Sequence, residues 1–214
     1  MGEIGLRQRK KERTRRAISE AAIALFLERG YDSVSVADIA EAAEVSKPTL
    51  FSYFPTKGDL VVHRFADHED ELARAVRGRR RGETPLVALR GQFLSALEHH
   101  DPAAGLNDAP PTFLFCRMLF GTPSLDGDIA RHIARSEVAL TAALREADGN
   151  DRLTTRLAAV QVVAVRRVLS LDNWRAIERG RTAADVYPEA VTAANLAFGL
   201  LRRGLGDLGP PAGA

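Results

Sequence analysis

Residues 31–60 read YDSVSVADIAEAAEVSKPTLFSYFPTKGDL, and the caps and apolar positions in this stretch decide the fold. Ser35-Val36-Ala37-Asp38 has the form of a capping box, with Asp standing where Glu is usual. A short helix starts there, with Ile39, Ala40 and Ala43 on its inner side. Glu44-Val45-Ser46 is a tight turn. Ser46 can cap the next helix, and Pro48 sits in its first turn, where a missing N–H costs nothing. That helix, about Lys47 to Phe54, ends at Pro55. Ile39, Ala40, Val45, Leu50 and Phe54 have the spacing to pack together, with Phe26 beneath them. Lys47, Pro48, Thr49, Ser52 and Tyr53 are left outside, at the start and flank of the second helix. A helix that enters a major groove N-terminus first needs such a set: short side chains, a cation and hydroxyl donors. The helix dipole also favours phosphate at that end.

Outward from this stretch the 3.6-residue period persists. Ile18, Ala21, Ala22, Leu25 and Phe26 form one apolar stripe, and Gly30 stops that first helix. Thr56 caps a longer helix that starts near Lys57 or Gly58 and runs to about Arg77. The run Arg77, Arg79, Arg80 and Arg81, with Gly78 and Gly82, reads as its frayed end. Thr84-Pro85 opens a helix to about His100. Residues 101–111 carry three prolines and read as a loop. A short apolar helix follows over 112–120, and another starts at Ser124 or Asp128 and ends at Asp148-Gly149. Residues 151–179 read as one helix about 42 Å long at 1.5 Å per residue. Thr182 and Asp185 cap a last helix to about Arg203, and the Gly- and Pro-rich tail 206–214 reads as disordered. No stretch reads as a convincing strand.

Composition narrows the function. The chain has 214 residues, 45% hydrophobic and 27% charged, the mix of an ordinary soluble globular protein. Disorder throughout is excluded, because ample apolar material offsets the chain entropy. No apolar run is long enough for a transmembrane helix, so no membrane partner is expected. The basic N-terminus has no apolar segment after it and does not read as a secretory signal. The single cysteine, Cys116, excludes an internal disulfide and a Cys-based zinc site, and a reducing cytoplasm is the expected location. His63 and Asp67 stand at i and i+4, but a solvated helix face accounts for them better than a metal. No Gly-rich phosphate loop, nucleophile elbow or HExxH is present. No enzyme activity, metal or cofactor is expected. The net charge of +2 says little. Its distribution says more: residues 1–20 hold seven basic and three acidic side chains, an electrostatic footprint for phosphate.

The stretch from about residue 10 to residue 62 resembles the DNA-binding domain of the TetR family of transcriptional regulators. The resemblance rests on Gly30-Tyr31 at the end of the first helix, then Ser-Val-x-Asp-Ile-Ala, Val-Ser-x-x-Thr-Leu-Phe-x-Tyr-Phe and x-x-Lys-x-Asp-Leu. It implies that Ser46 caps the reading helix while Lys47, Pro48 and Thr49 approach base edges, with Ser52 on the same exposed flank. Phe51 sits near bases or turns partly inward. Tyr53 and Lys57 hold phosphates, and Ser35 adds a phosphate bond from the preceding helix. Glu44 departs from the pattern, because the family usually has glycine there. If that residue needs a positive φ, glutamate carries a strain of order 1 kcal/mol.

Beyond residue 62 the resemblance extends only as architecture. The expectation is an all-α protein: a three-helix helix-turn-helix domain over 1–62 with a basic arm at 1–16, and a larger helical ligand-binding and dimerisation domain over 63–205. The helix over 151–179 has Leu153, Leu157, Val160, Ala164, Val168 and Leu171 on one face and Val162, Val165 and Leu169 on a second. The last helix has Ala190, Ala193, Ala194, Ala197 and Leu201 in a stripe. These two helices are the expected homodimer interface, a four-helix bundle across a two-fold axis. Phe93, Leu97, Phe113, Cys116, Arg117, Phe120 and Trp174 are the candidate ligand set, with Arg117, Asn173 or Arg166 as polar anchors. The expected function is sequence-specific regulation of transcription, as a repressor released from a palindromic operator in double-stranded DNA by a small lipophilic or aromatic effector. An activator of the same fold, or an all-helical enzyme or carrier without DNA affinity, are the alternatives.

Overall fold

The computed structural model describes the backbone of residues 2–63, 70–148 and 152–204, and the side chains of 9–63, 70–147 and 152–204. Among these residues there are ten α-helices and two short 3₁₀ turns, and no strand. The all-α expectation holds. Two compact units are resolved, one comprising residues 1–66 and 114–131, the other 67–113 and 132–214.

The first unit opens with α1, Gly2–Arg29. The basic stretch at 1–16 is therefore not a tail leading into a helix but, from Gly2 on, the helix itself. Arg, Lys, Gln and Glu are good helix formers, and no proline interrupts them. Helix α2 (Val36–Ala42), α3 (Lys47–Tyr53) and α4 (Lys57–Val62) follow. Each starts at a hydroxyl cap: Ser35 accepts from the Asp38 N–H, Ser46 from Thr49 and Thr56 from Asp59. Ile18, Ala22, Phe26, Ile39, Ala40, Leu50, Phe54 and Leu60 are sealed into one core, each large side chain contributing about 1.5–3 kcal/mol. Ser19 donates to the Leu60 carbonyl at 2.8 Å and ties α1 to α4.

Residues 114–131 join this unit through polar contacts. Helix α7 (Pro110–Gly121), a 3₁₀ turn (Pro123–Leu125) and α8 (Asp126–Asp148) run through it. Ser124 donates to Asp32 at 2.7 Å, and Thr56 reaches Asp128 at 3.4 Å. Gly58 lies so close to Asp128 that a Cβ there would overlap the carboxylate.

The second unit contains α5 (Glu71–Arg77), α6 (Pro85–Glu98), a 3₁₀ turn (Pro102–Ala104), α9 (Arg152–Glu178) and α10 (Ala183–Arg203). Helix α6 packs on α5 and α10, and α9 packs on α10 and on the 3₁₀ turn. Residues 101–111 are more ordered than a plain loop. Ser170 and Asn173 of α9 donate to the Ala103 and Ala104 carbonyls, each at 2.9 Å. Gly105 takes φ +71° against the Ser170 carbonyl, where a side chain has neither the conformation nor the room. The predicted frayed end at Arg77–Arg81 is instead a pinned corner. Arg77 forks onto Glu146 at 2.7 and 3.0 Å, and Arg79 donates to the carbonyls of Val76, Glu83 and Ala147. The middle of the helix expected over 57–77 and the tail expected to be disordered lie outside the described residues.

Candidate nucleic-acid interface

The turn between α2 and α3 sets the site. Val45 N–H bonds to Ala40 O at 2.9 Å and Glu44 N–H to Glu41 O at 3.0 Å. This pair of bonds is a Schellman motif, with Glu44 at the position that glycine usually takes. Glu44 has φ +53°, so the turn keeps its geometry and the glutamate bears the strain. Its side chain is exposed.

Helix α3 then divides into two sides. Leu50 is sealed in the core. Ser46, Lys47, Pro48, Phe51 and Ser52 are exposed, while Thr49 and Tyr53 are half-buried. Phe51 does not turn inward; it is 46% exposed. The hydroxyls along this edge hold one another. Ser46 and Thr49 share a 2.7 Å hydrogen bond, and Ser52 donates to the Thr49 carbonyl at 2.6 Å. Ser35 is exposed at the head of α2, with its N–H held by Asp38 at 2.8 Å. That bonding, side chain first, holds the Asp38 carboxyl below its ordinary value.

Lys57 sits differently from the rest. Its ammonium donates to the Tyr31 carbonyl and lies 4.2 Å from the Tyr31 ring centroid and 5.5 Å from that of Phe26. Burial pushes its pKa down, against an opposing pull from Asp32. The same enclosure, with Asp128, Asp32 and Asp59 nearby, raises the Tyr31 hydroxyl to about 12. Arg15 of the basic stretch also leans inward, 5.2 Å over the Phe54 ring, whereas Arg9, Lys10, Lys11, Arg13 and Arg16 are exposed. Ser124 and Asp128 hold this unit from 92 and 72 positions away, and sequence spacing carries no signal for either.

The candidate ligand residues divide between the units. Phe93, Leu97, Phe113 and Trp174 belong to the second; Cys116, Arg117 and Phe120 belong to the first. Phe93 and Leu97 are fully buried, and the Phe113 and Trp174 rings stand 5.3 Å apart. Cys116 is buried, while Arg117 and Phe120 are exposed. Asn173 donates one amide N–H to the Ala104 carbonyl at 2.9 Å. An open groove of about 480 Å³ is lined by residues 79–85 and includes none of these residues.

A capped pair of short helices, with one helix presenting hydroxyls and a cation from a rigid core, defines a helix-turn-helix DNA-binding protein. Residues 18–63 match the family model of bacterial regulatory proteins, tetR family. The chain is 32% identical to the HTH-type transcriptional regulator TcmR of Streptomyces glaucescens over 173 residues, 78% of this chain and 75% of that one. Among solved structures it resembles NalD, the secondary repressor of the MexAB-OprM multidrug efflux pump in Pseudomonas aeruginosa, with TM-score 0.56 and 21% identity over 87% of this chain and 97% of NalD. GusR of Salmonella enterica has TM-score 0.51 and 18% identity over 88% of this chain and 95% of GusR. The chain belongs to the tetR family and is a DNA-binding transcriptional regulator, not an enzyme. Regulators of this family bind DNA and small-molecule effectors and act as dimers. No described helix is long and apolar enough to cross a membrane.

Proposed function

We propose that the protein is a homodimeric repressor in the cytoplasm that occupies a palindromic operator until an apolar or aromatic effector binds its larger unit. The observation that carries this reading is the exposed edge of α3. Lys47, Pro48, Thr49, Phe51 and Ser52 face outward or partly outward over a sealed Leu50, so the edge can approach base edges without breaking the core. Tyr53, Ser35 and the exposed cations of α1 would hold the phosphates on either side. Lys57 reaches a phosphate only by leaving the Tyr31 carbonyl or by sharing its donors. The repressor reading parallels NalD, which has the same fold.

Two subunits are needed to read a palindrome. On α9, Leu153 is 64% exposed, Leu157 51% and Val168 58%, with Val160 and Ala164 on the same face. On the second face Val162 and Leu169 pack inside the chain and Val165 is half-buried. On α10, Ala190 and Ala194 are buried against their own subunit, so the outward part of the predicted stripe is Ala193 with the half-buried Ala197 and Leu201, and Leu196 stands beside it at 61% exposure. An apolar face this continuous is the expected seam of a helix bundle between copies. A two-fold assembly of such readers occupies half-sites about 34 Å apart or somewhat more. An effector with different affinities for the two forms then shifts the dimer away from that spacing.

The test is a gel shift of the full chain on the DNA upstream of its own gene. A retarded complex that weakens steeply with salt is expected, protecting an inverted repeat in footprinting. Absence of binding to every DNA tried at low salt, or a monomer at all concentrations, overturns the proposal. Deleting the gene should raise target expression; a fall instead identifies an activator.

A further inference from the structure

One charged group in the second unit has no hydrogen bond among the described residues. Arg166 of α9 is 9% exposed. Its guanidinium lies 5.3 Å over the Phe93 ring, and its Nη2 stands 4.0 Å from Glu71 Oε2, too far for a hydrogen bond. A guanidinium has five N–H donors, and none of the Arg166 nitrogens is sealed away unpartnered, so these donors stay open to solvent or to a ligand. Beside it, Gln92 donates from Nε2 to the other oxygen of Glu71. That bond fixes the orientation of the amide, because a flipped Gln92 would turn its carbonyl oxygen onto a carboxylate. Gln92 Oε1 is therefore left buried without a donor. Two complementary groups thus flank one carboxylate: a set of donors that reaches solvent, and a buried acceptor lacking a donor.

The charge around them restricts what can fill both. Glu71 and Asp101 already act on Arg166 as the opposing charges. A further anion would face those carboxylates, whereas a neutral oxygen would not. The surroundings include the Phe93 face, and Trp174 follows Arg166 two turns along the buried side of α9. The Arg166 side chain keeps 11% exposure, so it is reached from solvent. From this we infer that Arg166 and Gln92 are the polar anchor of the effector site, and that the effector is an uncharged, largely aromatic molecule carrying a carbonyl for Arg166 and a hydroxyl for Gln92. This deepens the proposed sensing role of the larger unit and rests on it.

Four matched probes separate the possibilities in thermal-shift titrations of the full-length protein: para-hydroxybenzophenone, para-methylbenzophenone, para-benzylphenol and para-benzoylbenzoate. The hydroxy-ketone should bind most tightly; loss of the hydroxyl should weaken it about five- to tenfold, the worth of one neutral hydrogen bond, and loss of the ketone, which accepts from a charged guanidinium, by more than about tenfold. The carboxylate should bind more weakly still. Gln92→Leu should erase the advantage of the hydroxyl but keep that of the carbonyl, and Arg166→Met the reverse. Gln92→Leu removes no charge, so it keeps the test open if Arg166→Met does not fold. Equal binding of the three neutral probes, or an unchanged preference in Gln92→Leu, overturns the anchor while leaving an apolar sensor intact. Tightest binding by the carboxylate overturns the neutral class. No shift with any probe overturns the anchor, and operator release by an unrelated apolar compound would then show that the sensing role itself survives.

Discussion

Glu44→Gly isolates the strain in the helix-turn-helix turn. At φ +53° an L-residue lies about 1–2 kcal/mol above its relaxed conformations, and glycine removes that cost. Glycine also gains freedom in the unfolded chain, which takes back about 0.5–1 kcal/mol. The net stabilisation is about 0.5–1 kcal/mol. A chain of this size shifts its midpoint about 2–4 °C per kcal/mol, so the melting temperature should rise by about 1–4 °C at fixed protein concentration. The side chain is exposed, so no packing is lost. Glu44→Gln is the control: it keeps the strained backbone and removes only the charge. Its stability should stay within a few tenths of a kcal/mol of the parent, a shift of about 1 °C or less, while both variants should bind DNA more tightly at low salt, where a carboxylate beside phosphates is repelled most. The assay is paired thermal melts and fluorescence anisotropy on one operator fragment. A lower melting temperature for Glu44→Gly, or an equal rise in Glu44→Gln, would refute the strain argument.

Further outcomes follow from the same geometry. Gly105→Ala combines left-handed strain with overlap on the Ser170 carbonyl, so it should lose about 2–5 kcal/mol in denaturant melts. Lys57→Met keeps the stem over Tyr31 and Phe26 but removes the cation; a phosphate role predicts weaker binding to all sequences and a salt slope smaller by about one, whereas a purely structural role predicts a lower melting temperature with the slope unchanged. Leu157→Asp places a charge on the exposed face of α9 and should give monomers in sedimentation with little loss of fold, since that face is uncovered in the single chain. Asp38 and Asp185 are held below their ordinary values by bonds from Ser35 and Thr182, side chain first, and Glu189 by Arg181. Because these folded values lie below the unfolded ones, their contribution is full above about pH 4.5 and fades as the pH falls through the folded values. Melts should therefore be flat from neutrality to about pH 4.5 and drop below it, with a smaller drop in Asp38→Asn.

Much of the fold was legible because it is written in short-range chemistry. Ser35, Ser46, Thr56, Thr84 and Thr182 each cap a helix as their neighbours suggest. The family pattern also marked Glu44 as a residue placed where glycine is usual. The Arg77–Arg81 corner was misread as frayed because its partners, Glu146 and Ala147, lie almost seventy positions later. The small-residue stripe of α10 gave the correct face for close packing but not the packing partner: Ala190 and Ala194 are buried within their own chain.

The sequence by itself determined which hydroxyls cap helices, which side of α3 is sealed, and that α9 has apolar residues on more than one face. Caps, turns and stripes act between residues one to eight positions apart, so a linear reading captures them. Tertiary structure alone decided that Lys57 rests on the Tyr31 carbonyl, that Asp128 closes over Gly58, that Asn173 donates to the 3₁₀ turn, and that the Arg166 guanidinium lies over Phe93. Each of these depends on which distant groups the packing brings within about 3 Å, the range over which a hydrogen bond is made or lost.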